Sequence, residues 1–71
     1  MAVGTPAHDE LRSVFQILLN DALIRGRIGA EASGLGPGTV AAVAAVASDH
    51  PDADAAVINA AYDAFDREHG F

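Results

Sequence analysis

The run of eight apolar residues Val40–Ala47 contains only valine and alanine, and it constrains the fold more than any other part of the sequence. Alanine has the highest intrinsic helix propensity, and most of the alanines in the chain follow position 40. No segment alternates apolar and polar residues over the roughly four to eight positions that are typical of a half-buried strand. The sequence therefore predicts an all-α fold, a small three-helix bundle.

Proline, glycine and acidic residues predict the three helices at about 6–25, 37–48 and 51–68. Pro6 suits the first position of helix 1 with Thr5 as its N-cap, and Pro37 begins helix 2. Pro51 lies in the predicted first turn of helix 3. We expect residues 1–71 to form one helical domain.

The connection between helices 1 and 2 is rich in glycine, with five glycines in residues 26–38. It is long for a link between two helices of a compact domain. We expect it either to be mobile or to contain one short helical turn around Ala30 to Ser33. The spacing Gly34-x-Gly36-x-Gly38 resembles a phosphate-binding loop in outline, but without a preceding strand or any lysine the glycines are expected to serve as turn residues.

The chain is acidic, with a net charge of −6 and no cysteine. Most of this charge lies in residues 39–71, which hold six acids and one arginine. A negative surface repels a phosphate backbone, so we do not expect nucleic acid as a partner. The longest apolar run is far shorter than the roughly 20 residues of a membrane-spanning helix, so we expect no membrane contact and a cytoplasmic location.

The sequence offers no arrangement typical of an enzyme. Ser48, Asp49 and His50 are adjacent, and neighbours in sequence cannot place a serine oxygen and a carboxylate on opposite nitrogens of one imidazole. The three histidines are dispersed through the chain and form no pair with metal-ligand spacing. We expect no catalytic residue, no cofactor, no metal and no small-molecule substrate.

Helix 1 has two apolar surfaces. Its core-facing stripe combines the following residues: Leu11, Phe15, Leu18, Leu19 and Ala22. Ile17 and Ile24 lie on the far side, seven residues apart. Either the loop covers them with Ile28 or Leu35, or they form a docking face for another chain.

Helix 2 has no charged side, because its valines form a ridge and alanines fill the remaining positions. Ala41 and Ala45 are predicted contact residues for a partner, although exposed alanines that face water are the simpler alternative. Four aspartates are predicted to form an acidic rim around the contact surface: Asp52, Asp54, Asp63 and Asp66.

One pattern suggests an alternative function. The spacing of six residues is similar to the helix-turn-helix of bacterial regulators: Ala30, Gly34, Leu35, Thr39, Val40 and Val43. In this resemblance Gly34 lies at the turn. The exposed positions of the second helix would offer few hydrogen-bond donors to base edges. The alternatives are therefore a DNA-associated regulator of this type and an acidic mimic of nucleic acid.

We interpret the sequence as a non-enzymatic protein–protein interaction module, either an accessory or structural subunit of a larger assembly or a small regulatory inhibitor. Its partner is expected to be another protein or a second copy of the chain. The motivating feature is more apolar helix surface than 71 residues can cover. The alanine-rich, lysine-free composition is typical of a high-GC bacterium or its phages.

Overall fold

The computed structural model describes residues 8–70, and this part of the chain contains three α-helices, one 3-10 helix and no strand. The elements follow one another in this order: α1 (His8–Arg25), the 3-10 helix (Ala30–Gly34), α2 (Pro37–Asp49) and α3 (Ala55–His69). The predicted all-α, three-helix fold is confirmed.

Aromatic rings join α1 to α3 at the centre of the bundle. The rings of Phe15 and Phe65 stack with their centroids 4.7 Å apart and their planes 7° from parallel. The ring of Tyr62 meets Phe15 edge-on, with 5.0 Å between the centroids. Such aromatic pairs contribute beyond the area that they bury. α2 packs against both other helices and buries Val43 and Val46 in the same core.

Helix α1 ends at Arg25, as the sequence predicts. Gly26 follows with a φ of 66°, and its N–H donates to the Ala22 carbonyl at 2.9 Å. A glycine in this left-handed conformation ends many helices because it has no Cβ to strain. The predicted start of helix 1 at Pro6, with Thr5 as its cap, lies outside the described residues.

Helix α2 begins at Pro37 as predicted and ends at Asp49, one residue beyond the predicted end. Before it, the glycine-rich connection contains the 3-10 helix Ala30–Gly34, which is the second of the two predicted alternatives. Leu35 follows with only 1% of its surface exposed and packs into the core. The connection therefore contributes to the interior of the bundle.

Helix α3 begins at Ala55, so the prediction that it begins at 51 is wrong. The Asp54 side chain accepts a hydrogen bond from the backbone N–H of Val57 at 3.1 Å, which makes Asp54 the N-cap. The acceptor that satisfies a free N–H of the first turn sets the start of the helix, rather than the earlier proline. Residues 51–54 precede the helix, and the peptide bond between His50 and Pro51 is cis.

Candidate interaction surface

Two isoleucines on α1 are the exposed large hydrophobic residues of the described chain. Ile17 is 63% exposed and Ile24 is 72% exposed, whereas Phe15 and Ala22 on the opposite side of the helix are fully buried. Seven residues span about two turns, so the isoleucines lie one above the other roughly 10 Å apart. Exposed polar residues separate and flank them. We call this surface the outer face of α1 and define it as follows: Ser13, Ile17, Asn20 and Ile24.

The glycine-rich connection does not cover these isoleucines. Leu35 is buried in the core, and Ile28 is half-buried against the same core. The alternative in which Ile28 or Leu35 folds over Ile17 and Ile24 is therefore wrong. Both residues are already used in the interior of the bundle, which leaves the outer face of α1 exposed.

The predicted contact residues of helix 2 lie on a different surface. Ala41 and Ala45 are exposed, and the buried Val43 and Val46 lie on the other side of α2. The four predicted contact residues thus divide between the outward sides of two helices, and no single helix face brings them together. Whether another chain covers the alanines stays a prediction.

The four aspartates of the predicted acidic rim are all exposed, and two of them have contacts within the chain. Asp54 caps α3, and Asp63 forms an ion pair with Arg67 at 2.7 Å, one turn along the same helix. Asp52 precedes α3, and Asp66 lies in its second half. An exposed pair of this kind contributes little to stability.

The start of α2 lacks a cap of its own, and a residue far away in the sequence supplies one. Gly36 occupies the N-cap position without a side-chain acceptor, and the first turn of α2 has no acidic residue. The carboxylate of Glu68 accepts hydrogen bonds from the backbone N–H of Gly38 at 2.8 Å and of Thr39 at 2.7 Å. It also accepts one from the Thr39 hydroxyl at 2.7 Å. Glu68 therefore occupies the position where a helix N-terminus attracts an anion.

The glycines at this point make room for the carboxylate. A Cβ added to Gly36 would lie 2.6 Å from Glu68 Oε1, and one added to Gly38 would lie 3.0 Å from Oε2. Gly36 also has a φ of 99°, a conformation that side chains of L-amino acids rarely adopt. These glycines do more than form a turn, because the anion bound between them is a side chain of the same protein.

His69 makes a second contact beside Glu68. Its Nε2 lies 3.0 Å from the Leu35 carbonyl oxygen, and its ring lies 4.6 Å from that of Phe65. The last turn of α3 is thus fastened to the segment that leads into α2. We call Glu68 and His69 the α3 clasp.

Hydrogen bonding lowers the pKa of Glu68 below its ordinary value of 4.5. The largest cause is the backbone N–H of Thr39, followed by the Thr39 hydroxyl and the backbone N–H of Gly38. All three groups donate to the charged form and therefore favour it. Partial desolvation opposes the shift, and the positive charge that His69 can carry adds a small lowering.

Sequence reasoning missed the α3 clasp, although one indirect signal was present. A helix that starts Gly-Pro-Gly-Thr without a serine, asparagine or aspartate at its N-cap leaves N–H groups to be satisfied from elsewhere. That signal indicates the need for an acceptor. It does not indicate which of the distant acids supplies it.

The helix-turn-helix spacing does not correspond to two α-helices joined by a turn. The element before α2 is a 3-10 helix of five residues, Ala30–Gly34. The glycine with a positive φ directly before α2 is Gly36, two residues after the predicted turn position Gly34. The prediction that Gly34 forms the turn of such a motif is wrong.

Comparisons with known proteins give no relative for this chain: no protein-family model matches it, and neither a curated protein nor a solved structure is significantly similar. Within residues 8–70, no three histidine, aspartate or glutamate side chains are grouped as they would be to hold a metal ion. None of the described helices combines the length and the apolar character needed to cross a membrane.

Proposed function

We propose that this protein is a non-enzymatic protein–protein interaction module of the cytoplasm, which docks through the outer face of α1. It would serve as an accessory or structural subunit of a larger assembly or as a small regulatory inhibitor. The observation that supports this proposal is the exposure of Ile17 and Ile24 on the side of α1 that faces away from the core.

The chemistry of this face favours docking. Transferring an isoleucine side chain from water to an apolar contact contributes about 1.5–3 kcal/mol when burial is complete. Ser13 precedes the isoleucines on this face and Asn20 lies between them. Both are short and uncharged, so covering them requires no buried charge. On its other side, α1 is anchored by fully buried Phe15 and Ala22, which presents the isoleucines on a fixed helix.

The first test is the substitution Ile24→Asp. A carboxylate at this position cannot be covered by an apolar surface without a large desolvation penalty, so we expect loss of assembly with the helical fold retained. Native mass spectrometry and sedimentation of protein from its own source report partner and copy number together. Circular dichroism shows that the variant is folded.

Two further variants act as controls. Ala60→Asp introduces the same charge at an exposed position of α3 outside the proposed contact, and it should leave assembly intact. Phe65→Ala removes a fully buried ring and should cost about 3–5 kcal/mol, which shows how loss of the fold itself appears in the same assays. Assembly of the Ile24→Asp protein like that of the parent would show that the outer face of α1 is not the docking site.

A further inference from the structure

We propose that the chain that covers the outer face of α1 is a second copy of this protein, with the two α1 helices antiparallel. This inference rests on the proposed function and specifies its partner. It combines the spacing of the exposed isoleucines with the distribution of charge along α1.

The outer face of α1 has the spacing of a two-helix seam. Ser13, Ile17, Asn20 and Ile24 follow one another at intervals of four, three and four residues, as the contact positions of a coiled coil do. They are exposed along a line of about 16 Å. An antiparallel copy places each isoleucine beside a short polar residue of the other chain, Ile17 beside Asn20 and Ile24 beside Ser13.

The charges at the two ends of α1 select the antiparallel direction. Asp9 and Glu10 lie in the first turn, Arg25 lies in the last turn, and Arg27 follows two residues later. Parallel helices would bring the acidic ends together and the basic ends together. Antiparallel helices bring the acidic end of each copy beside the basic end of the other, at both ends of the contact.

Glu10 is the best placed of these charges, because it lies seven residues before Ile17 and so on the same side of α1. In the antiparallel register that pairs Ile17 with Asn20, it lies beside the basic end of α1 in the second copy, where Arg27 follows the terminating Gly26. A two-fold axis requires a surface that is complementary to itself, and an acid at one end with a base at the other meets this requirement.

The overall charge also favours this face for self-association. The chain carries a net charge of −6, so two copies repel each other over most of their surfaces. Residues 8–27, however, contain three acids and three arginines and are neutral. The outer face of α1 therefore lies on a segment without net charge, where two copies can approach without net repulsion. The contact is short, so we expect a dissociation constant in roughly the micromolar to millimolar range.

Charge exchange tests both the partner and the direction. Glu10→Arg alone and Arg27→Glu alone each place like charges at both ends of a pair of identical chains. A one-to-one mixture of these two variants places opposite charges at both ends. Arg27 is used because Arg25 is engaged with Asp21 in the same helix, at 3.5 Å.

We expect each single variant to dimerise about tenfold more weakly than the parent at low salt, and the mixture to form the mixed dimer at close to the parent affinity. Sedimentation velocity measures the affinity, and native mass spectrometry distinguishes the mixed dimer from the two identical ones by mass. Asp66→Arg makes the same charge change on α3, which contacts α1 through Phe15, on the side opposite the outer face. Asp66 is therefore not part of this contact, and the change should not weaken dimerisation. Circular dichroism confirms that every variant is folded.

Three outcomes overturn the inference. The first is a parent protein that remains monomeric up to about 1 mM, and the second is a mixture that dimerises as weakly as the single variants. The third is equal weakening by Asp66→Arg. If the parent is monomeric but Ile24→Asp releases a different protein from the native complex, the inference fails and the proposed function stands. If Ile24→Asp changes no assembly at all, both fail.

Discussion

The carboxylate of Glu68 lies in the last turn of α3, where the negative end of the helix dipole disfavours an acid. Its position becomes favourable only through contact with a second helix. Three donors from Gly38 and Thr39 surround it, and the N-terminus of α2 adds its positive end. Glu68 is thus unfavourably placed within its own helix and favourably placed against the N-terminus of α2. The contact with α2 determines its role as a cap.

Glu68→Gln tests this role at the scale of one side chain. The amide keeps one acceptor oxygen for Thr39 but turns an NH₂ group toward the N–H of Gly38, so that one donor loses its partner. We expect a lower melting temperature, measured by circular dichroism at pH 7. Asp66→Asn removes the same charge from the same part of α3 and should have a smaller effect. Equal effects of the two variants would mean that net charge, rather than capping of α2, is responsible.

At this scale, sequence alone could identify the core but not the α3 clasp. Phe15 and Leu18 lie on the apolar face of α1, and Phe65 lies on the apolar face of α3, so their burial follows from the periodicity of each helix. Glu68 contacts residues that lie 29 and 30 positions away, and no local pattern specifies that distance. The exposure of Ile17 and Ile24 could be predicted only as one of two alternatives, because it depends on whether the connection between helices 1 and 2 covers them.

At the scale of the helices, the type of secondary structure could be predicted from the sequence more reliably than the residues at which each helix begins and ends. Alanine content and the absence of alternation predicted helices throughout, and Gly26 and Pro37 marked two boundaries correctly. The predicted start of α3, at residue 51, lies four residues before the observed start at Ala55, because several residues in 49–54 can act as caps. Residues that cap a helix with similar free energies cannot be ranked by propensity alone, so the sequence does not show which of them is the N-cap of α3.

Asp54→Ala tests the boundary of α3 directly. Loss of the bond from the Val57 N–H should destabilise the protein by about 0.5–2 kcal/mol, the range found for other N-cap substitutions. Urea unfolding followed by circular dichroism measures the change. Asp52→Ala is the matched control, since Asp52 is an exposed acid two residues before the cap. A larger loss for Asp52→Ala than for Asp54→Ala would place the functional cap earlier in the chain.

At the scale of the molecule, charge and apolar surface are distributed in opposite ways. Residues 39–71 carry a net charge of −5, while the exposed isoleucines lie on α1, which is nearly neutral. The sequence predicted the distribution of charge, because charge can be counted. Periodicity placed the isoleucines on the far side of α1 but left their exposure as one of two alternatives. The sequence could not show that the alanines of α2 and the isoleucines of α1 lie on different surfaces, since that depends on how the helices pack.

Acid should weaken the molecule through Glu68. The pKa of Glu68 is lower in the folded protein than in the unfolded chain. At pH values between these two pKa values the unfolded chain therefore binds more protons than the folded protein, and stability falls as the pH falls. The contribution of Glu68 is fully present above its ordinary pKa of 4.5 and is lost as the pH falls through the lower, folded value. Protonation of other exposed acids relieves repulsion within a chain of net charge −6, which acts in the opposite direction.

The difference in stability between the parent and Glu68→Gln separates these two effects, because both proteins share the other acids. We expect this difference to be constant from pH 7 down to about 5 and to shrink below the ordinary carboxyl pKa as Glu68 becomes protonated in the parent. Urea unfolding at a series of pH values between about 7 and 3 gives both curves. A difference that stays the same down to pH 3 would show that the ionised carboxylate does not hold α2 to α3.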